Sequence, residues 1–342
     1  MFKNLIIYSI FSPTNFDLET LTECAEIAPF VPTGSTQKKS YGWVPPRGQH
    51  EAPVELIDGQ YLLRFRQETR TVAPSNLQKA LDEACDQYEK QNGYKPGKKL
   101  RKELREEAEL TLLPFGVLAQ KAVWVWIDKH HKRIYMDTAS QSVADTIATL
   151  LVESIKGLGI GLLFTNRSAQ AAMAQWLLDS EPPPDFSIDR YLQLKAADES
   201  KATVRYERHA LDTDEVKEHI REGKLPVACE FTYDDRLSFR LQDCHKLSKL
   251  AFLDVVMESN RSRRDDGDDA LSTDMSIASA EITSMVDALI EALDGLDDGA
   301  IGSSTSDTKT TGTKPKKDDS DDAPWDGDDD DDDWDEDDDD DL

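Results

Sequence analysis

Val123-Trp124-Val125-Trp126-Ile127-Asp128 and Arg133-Ile134-Tyr135-Met136-Asp137 flank the polar tetrapeptide Lys129-His130-His131-Lys132. Two short runs of β-branched and aromatic residues around a polar turn read as a β-hairpin. The next segment, residues 140–155, carries apolar residues at helical spacing, with Ser142 and Asp145 placed to favour its first turn. A hairpin running straight into a helix selects an α+β chain of mixed sheets and helices.

The same alternation of element types extends in both directions. Downstream, Gly157, Gly159 and Gly161 introduce an apolar run at 162–164 and a helix at 168–178. Pro182-Pro183-Pro184 then breaks the chain, because consecutive prolines bar helix and central strand alike. Beyond it, strands are expected at 191–195, 203–209, 227–233 and 237–241, with helices at 214–222 and 277–293. Upstream, two charged helices at 75–91 and 98–113 form a helical hairpin, broken by Asn92-Gly93 and Pro96-Gly97. Residues 61–66 and 69–72 read as two short strands, and 3–10 as a buried strand followed by a helix at 17–28. Tyr41-Gly42-Trp43-Val44-Pro45-Pro46 is an aromatic knot inside a loop rich in Pro, Gly and Ser. The expected division is 1–180, including the helical hairpin near 75–113, then 181–295, then a tail from 296 to 342.

Charge separates that tail from the rest. The 342 residues carry a net charge of −28, and residues 318–342 hold 18 acids with no Lys or Arg. Without them the chain remains at about −10, so overall charge gives nucleic-acid binding no support and any such site must be local. From about Leu296 the chain is Gly, Ser, Thr, Asp and Lys with few apolar residues until Trp325 and Trp334, the composition of a disordered segment. Basic residues cluster at Lys95, Lys98, Lys99, Arg101, Lys102 and Arg105, and again at Arg261, Arg263 and Arg264. Each cluster taken alone reads better as a solvated face than as a binding site. Lys38, Lys39 and Arg47 beside the aromatic knot, and Arg64, Arg66 and Arg70 after it, add further cations for phosphate. The four cysteines form no C-x-x-C pair, there is no long apolar run or cleavage site, and a cytoplasmic protein is expected.

No catalytic constellation stands out. Metal-dependent nucleases hold Mg²⁺ between carboxylates with a Lys nearby. The nearest approach is Asp185 followed by Gln193-Leu194-Lys195, where an amide replaces the expected acid. The six histidines fit neither H-E-x-x-H nor zinc-finger spacing, and the glycines at 157–161 lack the Lys and Ser/Thr of a phosphate loop. No cofactor and no metal site are expected.

Phe2-Lys3-Asn4-Leu5; Gly42-Trp43-Val44-Pro45-Pro46 with Gly48 and His50; Asp58-Gly59-Gln60; Leu112-Leu113-Pro114; Trp126-Ile127-Asp128; Asp137-Thr138-Ala139-Ser140; and Leu289-Ile290-Glu291 with Gly295 follow one another along the chain. Taken in this order, these short motifs resemble the RdgC family of recombination-associated proteins. The resemblance runs from Phe2 to about Gly295. It implies an elongated subunit that closes with a second copy into a ring-shaped homodimer around duplex DNA. It further implies binding without sequence preference, limited RecA access in recombination and replication restart, and association with the nucleoid. By the family pattern Arg208 and His209 contact DNA, with His209 departing from the family's amide, while Lys98, Lys99, Arg101, Lys102, Arg64 and Arg66 supply local charge. The family's aromatic gate after Leu-Leu-Pro falls on Val117, with Phe115 two positions earlier. Two other readings compete. One is a divalent-metal exonuclease; the other is a protein-interaction module whose acidic tail docks a partner or contacts the chain's own DNA site.

Overall fold

The computed structural model describes residues 2–12, 17–48, 51–242, 246–256 and 269–297. His50, Cys244, the Arg261–Arg264 cluster and the acidic tail lie outside the described residues.

Two antiparallel sheets organise the body, and the opening hairpin sits at the centre of the larger one. Its strands are β5 (Val117–Asp128) and β6 (Arg133–Met136), paired from Val125↔Met136 to Asp128↔Arg133. The larger sheet also contains β1 (Ile6–Ile10), β2 (Lys39–Val44), β3 (Glu55–Ile57), β4 (Gln60–Thr71) and β7 (Ile160–Leu162), in the order β2-β4-β5-β6-β1-β7 with β3 on β4. The second sheet, in the order β12-β11-β10-β8-β9, consists of β8 (Phe186–Ala196), β9 (Thr203–Glu207), β10 (Lys224–Tyr233), β11 (Leu237–Gln242) and β12 (Leu247–Phe252). The three prolines fall between the two sheets.

The described helices include α1 (Leu18–Ile27), α2 (Pro74–Asn92), α3 (Lys98–Leu112), α4 (Gln141–Ser154), α5 (Ala169–Asp179), α6 (Asp214–Arg221) and α7 (Ala270–Ala292). Their ends follow local chemistry. The Asp17 and Asp269 carboxylates accept from first-turn amides of α1 and α7, and the Ser168 hydroxyl does the same for α5. Pro74 opens α2, whose end is closed by Gly93 at φ 79°.

Alternation along the central strands divides the apolar residues between two cores. On one face Tyr61, Leu63, Phe65, Val125 and Ile127 pack beneath α1 and α4. On the other, Leu62, Trp126 and Tyr135 join a core shared with the second sheet, α5, α6 and α7. The amino-terminal segment stitches the sheets together: Leu5 and Leu247 exchange backbone hydrogen bonds of 2.8 and 3.0 Å.

The observed elements depart from the sequence expectations in several places. The two strands expected at 61–66 and 69–72 are one continuous β4, paired with β5 from Gln60↔Asp128 to Thr71↔Val117. The polar interruption survives because Glu68, though buried, accepts from the Thr33 amide at 2.8 Å and the Gln120 side-chain amide at 2.5 Å. The aromatic knot is largely strand β2, with Trp43 in the core and edge-on to Phe65 at 6.0 Å. Gly42 permits it, since a Cβ there would lie 2.6 Å from the Phe30 nitrogen. β5 begins six residues earlier than expected, α7 seven residues earlier, and β12 was not expected at all.

Candidate nucleic-acid interface

The sequence-predicted cations occupy three places in the fold. The first is the turn after β9. Arg208 is exposed and adopts φ 55°, a left-handed conformation that costs a non-glycine residue about 1–3 kcal/mol. The turn is held from beneath. The His209 amide donates to the Arg190 carbonyl at 3.3 Å, the imidazole Nδ1 sits 2.6 Å from the Ala210 carbonyl, and Tyr206 anchors the end of β9 to α6 by donating to Glu215 at 3.1 Å. Burial and the neighbouring Glu215 carboxylate push the Tyr206 phenol up to about 12, so it remains a donor at neutral pH.

The second place is the helical hairpin. Lys98, Arg101, Lys102 and Arg105 recur at i, i+3, i+4 and i+7 and so share one face of α3, with Lys99 off that stripe. Lys99, Arg101, Lys102 and Arg105 enter no ion pair among the described residues. The hairpin stands away from the cores: α2 buries only Leu81 and α3 buries nothing.

The third place is β4, where Arg64 and Arg66 point to the face opposite Tyr61, Leu63 and Phe65. Arg64 lies over the Trp124 ring at 4.8 Å and Arg66 over Phe30 at 5.5 Å. Neither has a carboxylate ion-pair partner among the described residues. Burial, and then the adjacent Arg66 charge, lower the Arg64 pKa, which marks a cation short of compensating anions.

Other candidates are already engaged. Arg47 pairs with Glu55 at 3.0 Å and Asp269 at 2.5 Å, and Lys38 pairs with Glu109 at 2.6 Å. Arg70 donates to the Pro114 carbonyl. His131 lies in the β5–β6 turn between Asp128, at 2.7 Å, and Asp287, at 3.5 Å. Asp185 immediately precedes β8 and Lys195 is near its far end, roughly 33 Å away at strand rise. Lys195 is therefore too far away to serve a metal ion held at Asp185.

The two gate positions lie side by side at the junction of α3 and β5. Phe115 is 85% exposed and Val117 73% exposed, flanked by exposed Leu110 and Leu118. Gly116 between them is required by close approach, because a Cβ would lie 2.8 Å from the Thr71 carbonyl oxygen. Phe115, Val117, Leu110 and Leu118 are thus four large apolar side chains exposed within nine residues of sequence, a concentration of apolar surface of the kind found at interaction sites.

Sequence reasoning missed Arg190, Arg205 and Arg240. Arg205 is exposed on β9, and Arg240 stacks 3.5 Å above the Tyr191 ring while facing Glu230. Only the β8–β9 pairing, which sets Tyr191 opposite Glu207, brings Arg190 beside the Arg208 turn.

A family model described as "Putative exonuclease, RdgC" matches residues 1–296. Curated relatives named recombination-associated protein RdgC include those of Dechloromonas aromatica, 35% identical over 297 residues, and Herminiimonas arsenicoxydans, 33% identical over 296 residues. That of Bordetella pertussis is 32% identical over 294 residues. These alignments cover 86% of this chain and 97–98% of each relative. The matched region ends where the acidic tail begins.

Proposed function

The chain belongs to the RdgC family of recombination-associated proteins, and from that premise we propose that it binds double-stranded DNA without reading its sequence, as a homodimer closed into a ring. Bound there it limits RecA access during homologous recombination and replication restart, and it associates with the nucleoid. The observation that carries this reading is a set of cations that enter no ion pair among the described residues of an acidic protein: Arg208, Arg101, Lys102 and Arg105 on α3, and the Arg64–Arg66 pair. Phosphate contact is local, so a lining of this kind serves even when the outer surface is negative. The Leu110, Phe115, Val117 and Leu118 patch is the surface we assign to the second subunit.

Duplex affinity measured against salt tests the proposal. Each phosphate contacted adds about −0.9 to the log–log slope, so several contacts give a steep line. A flat line, or no binding at ~50 mM salt, overturns it. The family model's description keeps exonuclease activity as a second reading. Labelled linear duplex incubated with Mg²⁺ or Mn²⁺ and excess protein decides it, and absence of product removes it. The 18 carboxylates of residues 318–342 either oppose duplex binding or recruit a recombination partner. Truncation after Lys317 tightens duplex binding in the first case and abolishes partner capture in the second.

A further inference from the structure

The turn that presents Arg208 also forms one wall of a cleft of about 380 Å³. Leu177, Pro182, Ile188 and Leu211 give it apolar sides, and Asp189 and Asp212 line it as well. Arg190 is at its edge, exposed, with no ion pair among the described residues, and its carbonyl holds the His209 amide. The cleft and the turn are therefore one construction. Asp189 has one oxygen occupied by the Thr232 hydroxyl at 2.8 Å, whereas Asp212 has no hydrogen-bond partner among the described residues.

We infer that this cleft receives one unstacked nucleotide of the bound DNA, its base between the apolar walls and its phosphate at the rim beside Arg190 and Arg208. The inference rests on the duplex-binding reading and adds a preference for DNA carrying an unpaired base. Size argues for a single unit, because the volume lies at the low end of small-ligand pockets. Charge fixes the orientation. The carboxylates of half-buried Asp189 and of Asp212 would repel a phosphate placed in the cleft, while exposed Arg190 in the lining and Arg208 on the adjoining turn attract one at the surface. The same carboxylates accept hydrogen bonds from exocyclic amines, as acidic side chains do at cytosine N4. Extruding a base costs least where it is already unpaired, so a perfect duplex should bind by its backbone alone. Cytosine or adenine, which offer an exocyclic amine, should be favoured over thymine, which offers none.

The test uses the full chain and three fluorescently labelled duplexes: perfect, with a single-cytosine bulge, and with a single-thymine bulge. A fourth carries 2-aminopurine in the bulge. The cytosine bulge should bind about tenfold more tightly than the perfect duplex, with a change in 2-aminopurine emission. Ser187→Trp, which fills the cleft from exposed β8, should remove the bulge preference and leave perfect-duplex affinity unchanged. Asp212→Asn, conservative in shape, should level the cytosine and thymine bulges. Equal affinity for bulged and perfect duplex with unchanged emission, alongside a steep salt dependence, overturns the cleft and leaves duplex binding standing. Retention of the preference by Ser187→Trp also overturns it. Binding to none of the duplexes overturns both readings.

Discussion

Helix α7 and the α2–α3 hairpin are stabilised in different ways. α7 buries side chains around much of its circumference, including Met275, Ile282, Met285, Val286 and Leu289, in the core shared by the two sheets. The hairpin buries Leu81 alone, and its two helices meet along a shallow cleft lined by Ala80, Ala84, Leu104 and Ala108. Isolated short helices are marginal in water, and most helical stability in proteins comes from tertiary packing. One element therefore specifies the fold, while the other is an arm with little buried surface, whose charges and exposed apolar base are the ones proposed for binding.

The largest expected effect separates the two on stability. Ile282→Ala, at a fully buried site of α7, should cost about 3 kcal/mol in urea unfolding. Leu104→Ala, half-buried in α3, should cost about 1 kcal/mol or less. Comparable losses would show that the hairpin is part of the cooperative core.

The next contrast reverses the ranking by measuring binding. Arg101→Glu with Lys102→Glu should leave the unfolding midpoint almost unchanged yet lower duplex affinity about a hundredfold at ~0.1 M salt, with a shallower salt slope. Full affinity in this variant would reduce the α3 stripe to a solvated face. Phe115→Ser removes about 2 kcal/mol of apolar contact if that surface is covered by a second subunit, which would weaken self-association about thirtyfold in sedimentation equilibrium. Unchanged association would place the interface elsewhere.

The same contrast explains what was legible in the sequence. α2 and α3 declare themselves through Pro74, Gly93 and Pro96-Gly97, because their limits are local. So do α4 and α5, whose apolar faces repeat at helical spacing. β4 is different: Gln67 and Glu68 look like a break until Thr33 and Gln120, remote in sequence, satisfy the buried carboxylate. The start of α7 is blurred by Ser and Thr residues such as Thr273 that are buried only because the sheets meet there. Arg208 is a candidate by family pattern and Arg64 and the α3 stripe by charge, whereas Arg190 becomes a candidate only through strand pairing.

The Arg208 turn adds a smaller test. Arg208→Ala and Arg208→Gly should each weaken duplex binding about tenfold for every sequence alike, since each removes one phosphate-contacting charge. Only the Gly variant relieves the φ 55° backbone, so it should be the more thermally stable of the two. If Gly retains affinity while Ala does not, the shape of the turn matters and its charge does not.

The smallest effect concerns how α7 is tied to the opening hairpin. His131 stands between Asp128 of β5 and Asp287 of α7, and Arg133 donates to Asp287 at 2.6 Å; the ion pair tying the hairpin arm back is Lys38–Glu109, half exposed. Burial alone would raise the Asp128 carboxyl, but the His131 amide, the His131 ring and the Gln60 side chain together bring it below its ordinary value. A carboxyl depressed by folding contributes stability that is present above its unfolded pKa, about 3.9, and is lost as pH falls through the lower folded value. Asp128→Asn keeps an acceptor for the amides but not the charge. It should therefore cost about 1 kcal/mol at neutral pH, with the gap from the parent protein closing as pH falls below the ordinary carboxylate range. Removing the arm's tie with Lys38→Ala should have almost no effect on stability at any pH, because an exposed pair contributes about 0–1 kcal/mol. A pH-independent gap for Asp128→Asn would mean that its hydrogen-bond geometry, and not its charge, holds the turn on which α7 docks.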